Sequence, residues 1–221
     1  MGLLENLGEK LAAAAASFIR APDAASFGDP LAAQVPWTRL KKSKAGVSNF
    51  RTMKLVADGA GRLRYERSIQ MTLAALAFGV PGLVFAAVCA VKLSPCAVFG
   101  LVFLGIGVYL LLPVERSFDR NSKQIVIARE RVPFEAVHAL QLLEHWEAGD
   151  ESGGYDSYQL NLVMKDRSRI AVVDHSKLSV IRQEAQQLAE HLGVKLWDGP
   201  AAPQLTGQAA LESLRAEEKP R

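Results

Sequence analysis

A long apolar stretch divides the chain and limits what it can fold into. Residues 69–114 contain one charged residue, Lys92, whereas the segments on both sides are rich in charge. At 1.5 Å per residue, a helix over 69–91 is about 35 Å long, enough to cross a hydrocarbon core of about 30 Å. A second helix over 96–114 is about 28 Å long. We therefore predict a two-helix transmembrane hairpin.

The alternative is a buried helical hairpin in a soluble core. A soluble helix normally keeps a polar face, and neither apolar run has one. Small residues allow close approach of two helices in a membrane. They are Ala75, Gly79 and Gly82 in the first run and Gly100, Gly105 and Gly107 in the second. The small residues favour the membrane hairpin.

Basic residues flank the apolar stretch on both sides. Nine lie between Arg39 and Arg67, and five lie between Arg116 and Arg131, whereas the turn has only Lys92. The positive-inside rule then places both termini in the cytoplasm and the turn outside. The alanine-rich composition suggests a bacterium, so the expected location is the bacterial inner membrane.

Two cysteines flank the predicted outer turn. Cys89 lies two residues before the end of the first run, and Cys96 begins the second. In an oxidising periplasm a disulfide between them is one expectation. The alternative is that both are small apolar membrane residues.

The segments outside the apolar stretch alternate between apolar and polar residues, a pattern typical of β-strands. A hairpin of residues 50–57 with 61–68 is predicted before it. Five more strands are predicted after it, at about 117–120, 124–128 and 137–147 and in the sequences YDSYQLNLVMKD and RSRIAVVD. Val132 to Phe134 are assigned to a connection.

A helix ends the predicted domain. Its apolar residues recur at helical spacing, namely Leu178, Ile181, Ala185, Leu188 and Leu192. Ser176 is the expected N-cap, and Gly193 is the expected residue after the last turn.

This order of elements resembles the pleckstrin-homology (PH) superfold, in which seven antiparallel strands are closed by a C-terminal helix. The resemblance covers residues 50–198 and is carried by FDRNSKQIVI, RVPFEAVHALQLL and the final helix. It implies an α+β membrane protein with a PH-like antiparallel sandwich or barrel, here interrupted by the hairpin between the second and third strands. Bacterial membrane proteins with PH-like domains form the class that it suggests.

The ends of the chain are predicted to lie outside this domain. Residues 2–19 form an amphipathic helix that lies in the membrane interface or packs against the protein or a partner. Residues 20–49 are interpreted as a basic linker. Residues 199–221 are interpreted as a disordered tail.

Motifs for catalysis, metal or cofactor binding are not apparent. Asp174, His175 and Ser176 are the residue types of a hydrolase triad, but sequence neighbours on a strand point in different directions. The four histidines lack metal-ligand spacing, and no P-loop, GxGxxG or GxSxG occurs. We therefore predict no enzymatic activity, no metal and no cofactor.

The predicted function is that of a membrane-anchored scaffold or assembly protein, with a membrane-protein partner or a second copy as its binding partner. The second hypothesis is recognition of anionic lipid headgroups, and a membrane enzyme is the third. Nucleic-acid binding is disfavoured because the basic run lacks interleaved aromatic residues. The residues expected to contact the membrane surface are Arg39, Lys41, Lys42, Lys44, Arg62, Arg64, Arg67 and Arg116.

Overall fold

The structure is a computed structural model, and it describes residues 21–40, 53–59, 61–91, 96–112, 115–147 and 155–205. In chain order, the strands and α-helices of these residues are β1 (Ala21–Pro22), β2 (Met53–Asp58), β3 (Arg62–Arg67), α1 (Ile69–Val91), α2 (Ala97–Leu111), β4 (Arg116–Asp119), β5 (Gln124–Ile127), β6 (Glu130–Pro133), β7 (Val137–Glu147), β8 (Tyr155–Met164), β9 (Arg169–His175), α3 (Leu178–Leu192), β10 (Lys195–Asp198) and β11 (Gln204–Leu205).

These elements form an α+β fold with two main sheets and a short two-stranded pair, counted over the described residues. The chain divides into two compact units. One comprises residues 50–134, and the other comprises residues 1–49 with 135–221.

The first unit contains an antiparallel five-stranded sheet in the order β2-β3-β4-β5-β6. The chain leaves this sheet after β3, forms both apolar helices, and returns as β4 beside β3, with Leu63 opposite Phe118. The predicted pairing of strands from before and after the apolar stretch is therefore confirmed. Leu63, Phe118 and Ile125 are buried in its core, and the rings of Tyr65 and Phe118 meet edge to face at 6.3 Å.

Strand β6 corrects the prediction of a connection at Val132 and Pro133, whereas Phe134 begins a 3-10 helix that connects β6 to β7. Strand β6 is joined to β5 by the two-residue turn Ala128-Arg129, and both residues have positive φ, 51° and 79°. Such a turn matches the twist of a β-hairpin and normally uses Asn or Gly. Neither residue is present here, so the usual sequence signal for the hairpin is missing.

The two apolar helices pack against each other in antiparallel orientation. Gly82 of α1 lies against Leu104 of α2, while the earlier Gly79 lies against the later Gly107. The first helix has the predicted bounds and continues through Pro81. The second has 15 residues, fewer than predicted. Residues 92–95 and 113–114, at its two ends, lie outside the described residues.

The second unit contains a four-stranded sheet in the order β10-β7-β8-β9. Helix α3 covers one face, where Ile181, Ala185 and Leu188 are fully buried. It ends at Gly193 with φ +71°, as predicted, but Lys177 rather than Ser176 occupies the N-cap position. Strand β10 was not predicted and runs parallel to β7. The two main sheets therefore contain nine strands in the described residues, not seven.

The interpretation of residues 20–49 as a linker is wrong for residues 21–40. Two short 3-10 helices, Ala24–Phe27 and Ala32–Gln34, lie here. Ala32 and Val35 are buried in one cluster with Trp197 and the sheet. The tail is likewise ordered as far as Leu205, because β11 pairs with β1. The predicted helix at 2–19 and the tail beyond 205 lie outside the described residues.

Candidate functional site

The apolar helix pair exposes a large hydrophobic surface. Within the described residues, every exposed large hydrophobic side chain lies between Ile69 and Leu112. Leu83 is 56% exposed and Phe99 is 66% exposed. Soluble monomers rarely expose contiguous apolar patches of this kind, and larger ones mark sites of contact with membranes or proteins. The part of the chain that the structure describes leaves this surface uncovered.

Glycines form the seam between the two helices. A Cβ atom added to Gly82 would lie 2.5 Å from the Leu104 nitrogen, and one added to Gly107 would lie 2.6 Å from the Gly79 Cα. A Cβ on Gly100 would meet the backbone of Ala86. These positions therefore require glycine at the observed helix spacing. Gly105 differs from the prediction, because a Cβ there would have nothing within 4 Å.

Polar groups close the base of the helix pair at its junction with the sheet. Ser68 caps α1, since its hydroxyl oxygen accepts a hydrogen bond from the Met71 amide at 3.3 Å. Arg67 caps α2, since its Nε donates to the Leu112 carbonyl oxygen at 3.0 Å and its Nη2 donates to the same oxygen. A cation at the C-terminus of a helix also interacts favourably with the helix dipole. Two consecutive residues, Arg67 and Ser68, therefore cap the end of α2 and the start of α1.

The basic residues predicted to contact lipid have several different environments. On β3, Arg62 and Arg64 are about half exposed and form ion pairs with Asp119 at 2.9 Å and Glu66 at 2.6 Å. The hydrogen bond from Arg62 lowers the pKa of Asp119. Arg116 is only 6% exposed, and its Nη1 lies 3.4 Å from the Met53 sulfur.

Four of those basic residues belong to the N-terminal segment. Arg39 lies 3.7 Å from Asp174 in an ion pair, with 16% of its side chain exposed. Lys41, Lys42 and Lys44 lie outside the described residues. Headgroup contact by any member of the set stays a prediction.

The cysteines differ in environment. Cys89 is buried and Cys96 is exposed, and the described structure contains no disulfide between them. Their pairing in an oxidising compartment stays a prediction.

A row of buried polar side chains crosses the four-stranded sheet on the face opposite α3. Gln141 lies opposite Asn161 in the register, and Gln159 lies opposite Asp174. All four are at most 3% exposed. Gln159 Nε2 donates to Asp174 Oδ1 at 2.9 Å. Buried polar groups are costly unless hydrogen-bonded, so this row needs further partners.

Residues 36–40 supply partners from their main chain. Arg169 Nη1 donates to the carbonyl oxygens of Pro36 at 2.7 Å and Thr38 at 2.8 Å. Gln141 Nε2 also donates to Pro36 at 3.1 Å. The Leu40 amide donates to Gln159 Oε1 at 2.9 Å. We call residues 36–40 the strap. Sequence reasoning missed this site, although polar amides at alternate positions of otherwise apolar strands were a signal.

Apolar and charged contacts anchor the start of the strap and the residues before it. Trp37 stacks on Phe27 at 5.1 Å between ring centroids and lies 6.2 Å from Trp197. His138 Nε2 lies 2.8 Å from Asp29 Oδ2. Burial raises the pKa of Asp29, but hydrogen bonds from His138 and the Leu31 amide outweigh it, so the net pKa is lowered.

The described residues show no arrangement suited to metal binding. No group of three or more His, Cys, Asp or Glu residues among them could hold a metal ion. The sequence neighbours Asp174 and His175 have separate contacts, since Asp174 binds Gln159 and His175 Nδ1 accepts from the Lys177 amide at 2.9 Å.

Comparison with known proteins gives no assignment. No protein-family model and no curated protein matches the chain. A functional proposal must therefore be built from this chain's own residues. One helix in the described residues, Ile69–Val91, is long and apolar enough to cross a membrane by length and composition.

Proposed function

We propose that the chain is a non-enzymatic scaffold or assembly protein, held at the cytoplasmic face of a bacterial inner membrane by its own two-helix hairpin. The exposed apolar surface of the helix pair carries this proposal. In lipid, those side chains need no protein cover, and glycine seams are the usual way for membrane helices to approach closely. A membrane-protein partner or a second copy would bind the β-rich part.

The short second helix fits this proposal if the bilayer adapts to it. At 1.5 Å per residue, the 15 residues of α2 extend about 22 Å, less than the roughly 30 Å core. A short apolar helix is accommodated by local thinning of the bilayer and by flanking residues that reach the interface. Basic residues flank both ends of the hairpin in sequence, which favours cytoplasmic termini.

The PH-like assignment remains part of the proposal. It is supported by the element order β2 to β9 followed by α3, in which antiparallel strands precede one C-terminal helix. Strands β6 and β10 depart from the seven-strand pattern. The scaffold role is supported by the sheet face under the strap, whose polar side chains bind the main chain of the protein's own Thr38 and Leu40.

Anionic-lipid recognition is the second candidate. Arg62 and Arg64 favour it, because both are about half exposed on the strand that leads to α1. Their acidic partners reduce the charge offered to a headgroup. Liposome binding that is unchanged by charge reversal at Lys41, Lys42 and Lys44 would remove that role from the basic run.

The test of the leading proposal has two parts. Membranes from expressing cells are washed with alkaline carbonate, and the chain should stay in the pellet and require detergent for release. Detergent extracts are then used for affinity purification, with a Gly82→Leu variant as a control for an intact helix pair. Release by carbonate would refute the anchor, and no reproducible co-purifying membrane protein or second copy would refute the scaffold role.

A further inference from the structure

The polar sheet face under the strap has the properties of a peptide-binding site. We propose that this face recognises an extended peptide segment of a partner protein that carries a basic residue, and that residues 38–40 occupy the site in cis. The inference names the contact surface of the proposed scaffold and therefore rests on the proposed function.

The contacts recognise main-chain atoms at alternate residues of the strap. They involve the carbonyl oxygens of Pro36 and Thr38 and the amide of Leu40. An extended chain presents its groups with a two-residue period, so side chains on a sheet face contact every second residue. Because these contacts bind peptide groups, another extended segment can make them with a different sequence.

A β-bulge assembles this face. Arg169 and Asp174 are five residues apart, and in a regular strand that spacing places side chains on opposite faces. The register between β8 and β9 shifts between Leu160 and Asn161, so that Gln159 pairs with Asp174 while Val163 pairs with Arg169. The side chains of Arg169 and Asp174 consequently lie on the same face of the sheet as the strap. Bulges commonly redirect side chains at functional sites.

Charge gives the site a preference for a basic residue. Asp174 is 3% exposed and lies 3.7 Å from Arg39 Nη2. Removing the cation takes the Arg39 charge away from a buried carboxylate, which is costly. A competing segment is therefore expected to bring its own Lys or Arg to this position.

The two ends of the strap differ in how readily they can dissociate from the polar sheet face. Trp37 is held in an aromatic cluster, and its Nε1 donates to the Ala32 carbonyl oxygen at 2.9 Å. Residues 38–40 make polar contacts, and water can replace such contacts when the segment leaves. The anchor therefore allows residues 38–40 to be exchanged without loss of the apolar core.

A release variant tests this proposal in the full-length chain in detergent. Arg39→Ser removes the cation, and Leu40→Pro removes the amide that binds Gln159, while the Trp37 anchor is kept. The probe is a fluorescein-labelled peptide TRLKKSK, residues 38–44. Its anisotropy should show binding about tenfold or more tighter to the release variant than to the wild type, because the cis segment lowers the fraction of competent sites.

The matched controls examine the charge. A peptide with Arg39→Glu keeps the lysines and should bind the release variant about tenfold more weakly than TRLKKSK does. TRLKKSK itself should bind about tenfold more weakly when Asp174→Asn is added to the release variant. Near-ultraviolet circular dichroism of the tryptophan cluster establishes that each variant is folded. Equal binding of TRLKKSK to folded release variant and wild type, or equal binding of both peptides, would overturn the proposal.

Hydrogen exchange gives an independent test in the unaltered chain. If residues 38–40 open locally, the Leu40 amide should exchange at least about 100-fold faster than the amide of Leu160 in the central strand β8. Protection of Leu40 equal to that of Leu160 would contradict an exchangeable strap. Both tests report on this face alone, whereas membrane retention after carbonate washing reports on the anchor.

Discussion

Substitution of single seam glycines should distinguish a specifically packed helix pair from two loosely associated helices. We consider Gly100→Ala with Gly105→Ala as its matched control on the same helix. At Gly100, a new Cβ would meet the backbone of Ala86, whereas at Gly105 it would have nothing within 4 Å. Both changes have the same effect on helix propensity, so their difference isolates the packing.

The size of the effect follows from the required movement. Non-bonded carbon atoms normally lie about 3.5–4.0 Å apart. Added atoms 2.6 Å from the Ala86 Cα therefore require the helices to separate by about 1 Å. Overpacking of this kind typically costs about 1–3 kcal/mol. We expect Gly100→Ala to be less stable than Gly105→Ala by this amount.

The assay uses the buried thiol of Cys89 as a reporter of helix separation. In a Cys96→Ser background and detergent micelles, the rate of maleimide labelling of Cys89 measures the opening of the pair. A difference of 1–3 kcal/mol corresponds to about a 5- to 150-fold higher rate for Gly100→Ala than for Gly105→Ala. Equal rates for the two variants would refute a seam through Gly100.

Three further predictions follow from other contacts. Replacing Arg67 with Gln should lower the stability of the helix pair by about 1–2 kcal/mol, because the Leu112 carbonyl loses a charged hydrogen-bond donor; the same labelling assay checks it. The pKa of Asp29 is lowered on folding, so its stabilising contribution is present above its unfolded pKa near 3.8 and is lost as the pH falls through the lower folded value. Acid unfolding, followed by tryptophan fluorescence, should therefore depend less on pH in Asp29→Asn. An unchanged profile would contradict the pair with His138. Truncating Phe118, which is fully buried, to Ala should cost about 3–5 kcal/mol, measured by chemical denaturation.

Local sequence patterns were sufficient for the elements that local chemistry determines. Apolar alternation predicted β7 and β8, helical spacing predicted α3, and uninterrupted apolar character predicted α1. Small residues also predicted the seam, apart from Gly105. These signals work because each element must present an apolar face at its own period.

The missed elements depend on contacts between residues far apart in sequence. Residues 21–40 looked like a linker because the stacked rings of Phe27 and Trp37 pack against the sheet only through Trp197 of β10, about 160 residues later. The polar sheet face under the strap was missed for the same reason. Gln141 and Arg169 reveal no common role until the sheet register and the β8–β9 bulge bring them to one face.

The most direct test of the membrane hairpin is the side of the membrane that Cys96 faces. Intact cells are treated with a membrane-impermeant maleimide, with a Cys89→Ser chain leaving Cys96 as the reporter. The matched control carries Cys89→Ser, Cys96→Ser and a cysteine introduced at Arg221. The two-pass hairpin predicts labelling of Cys96 in intact cells and labelling at position 221 only after permeabilisation. Labelling at position 221 in intact cells, or protection of Cys96 until permeabilisation, would contradict it.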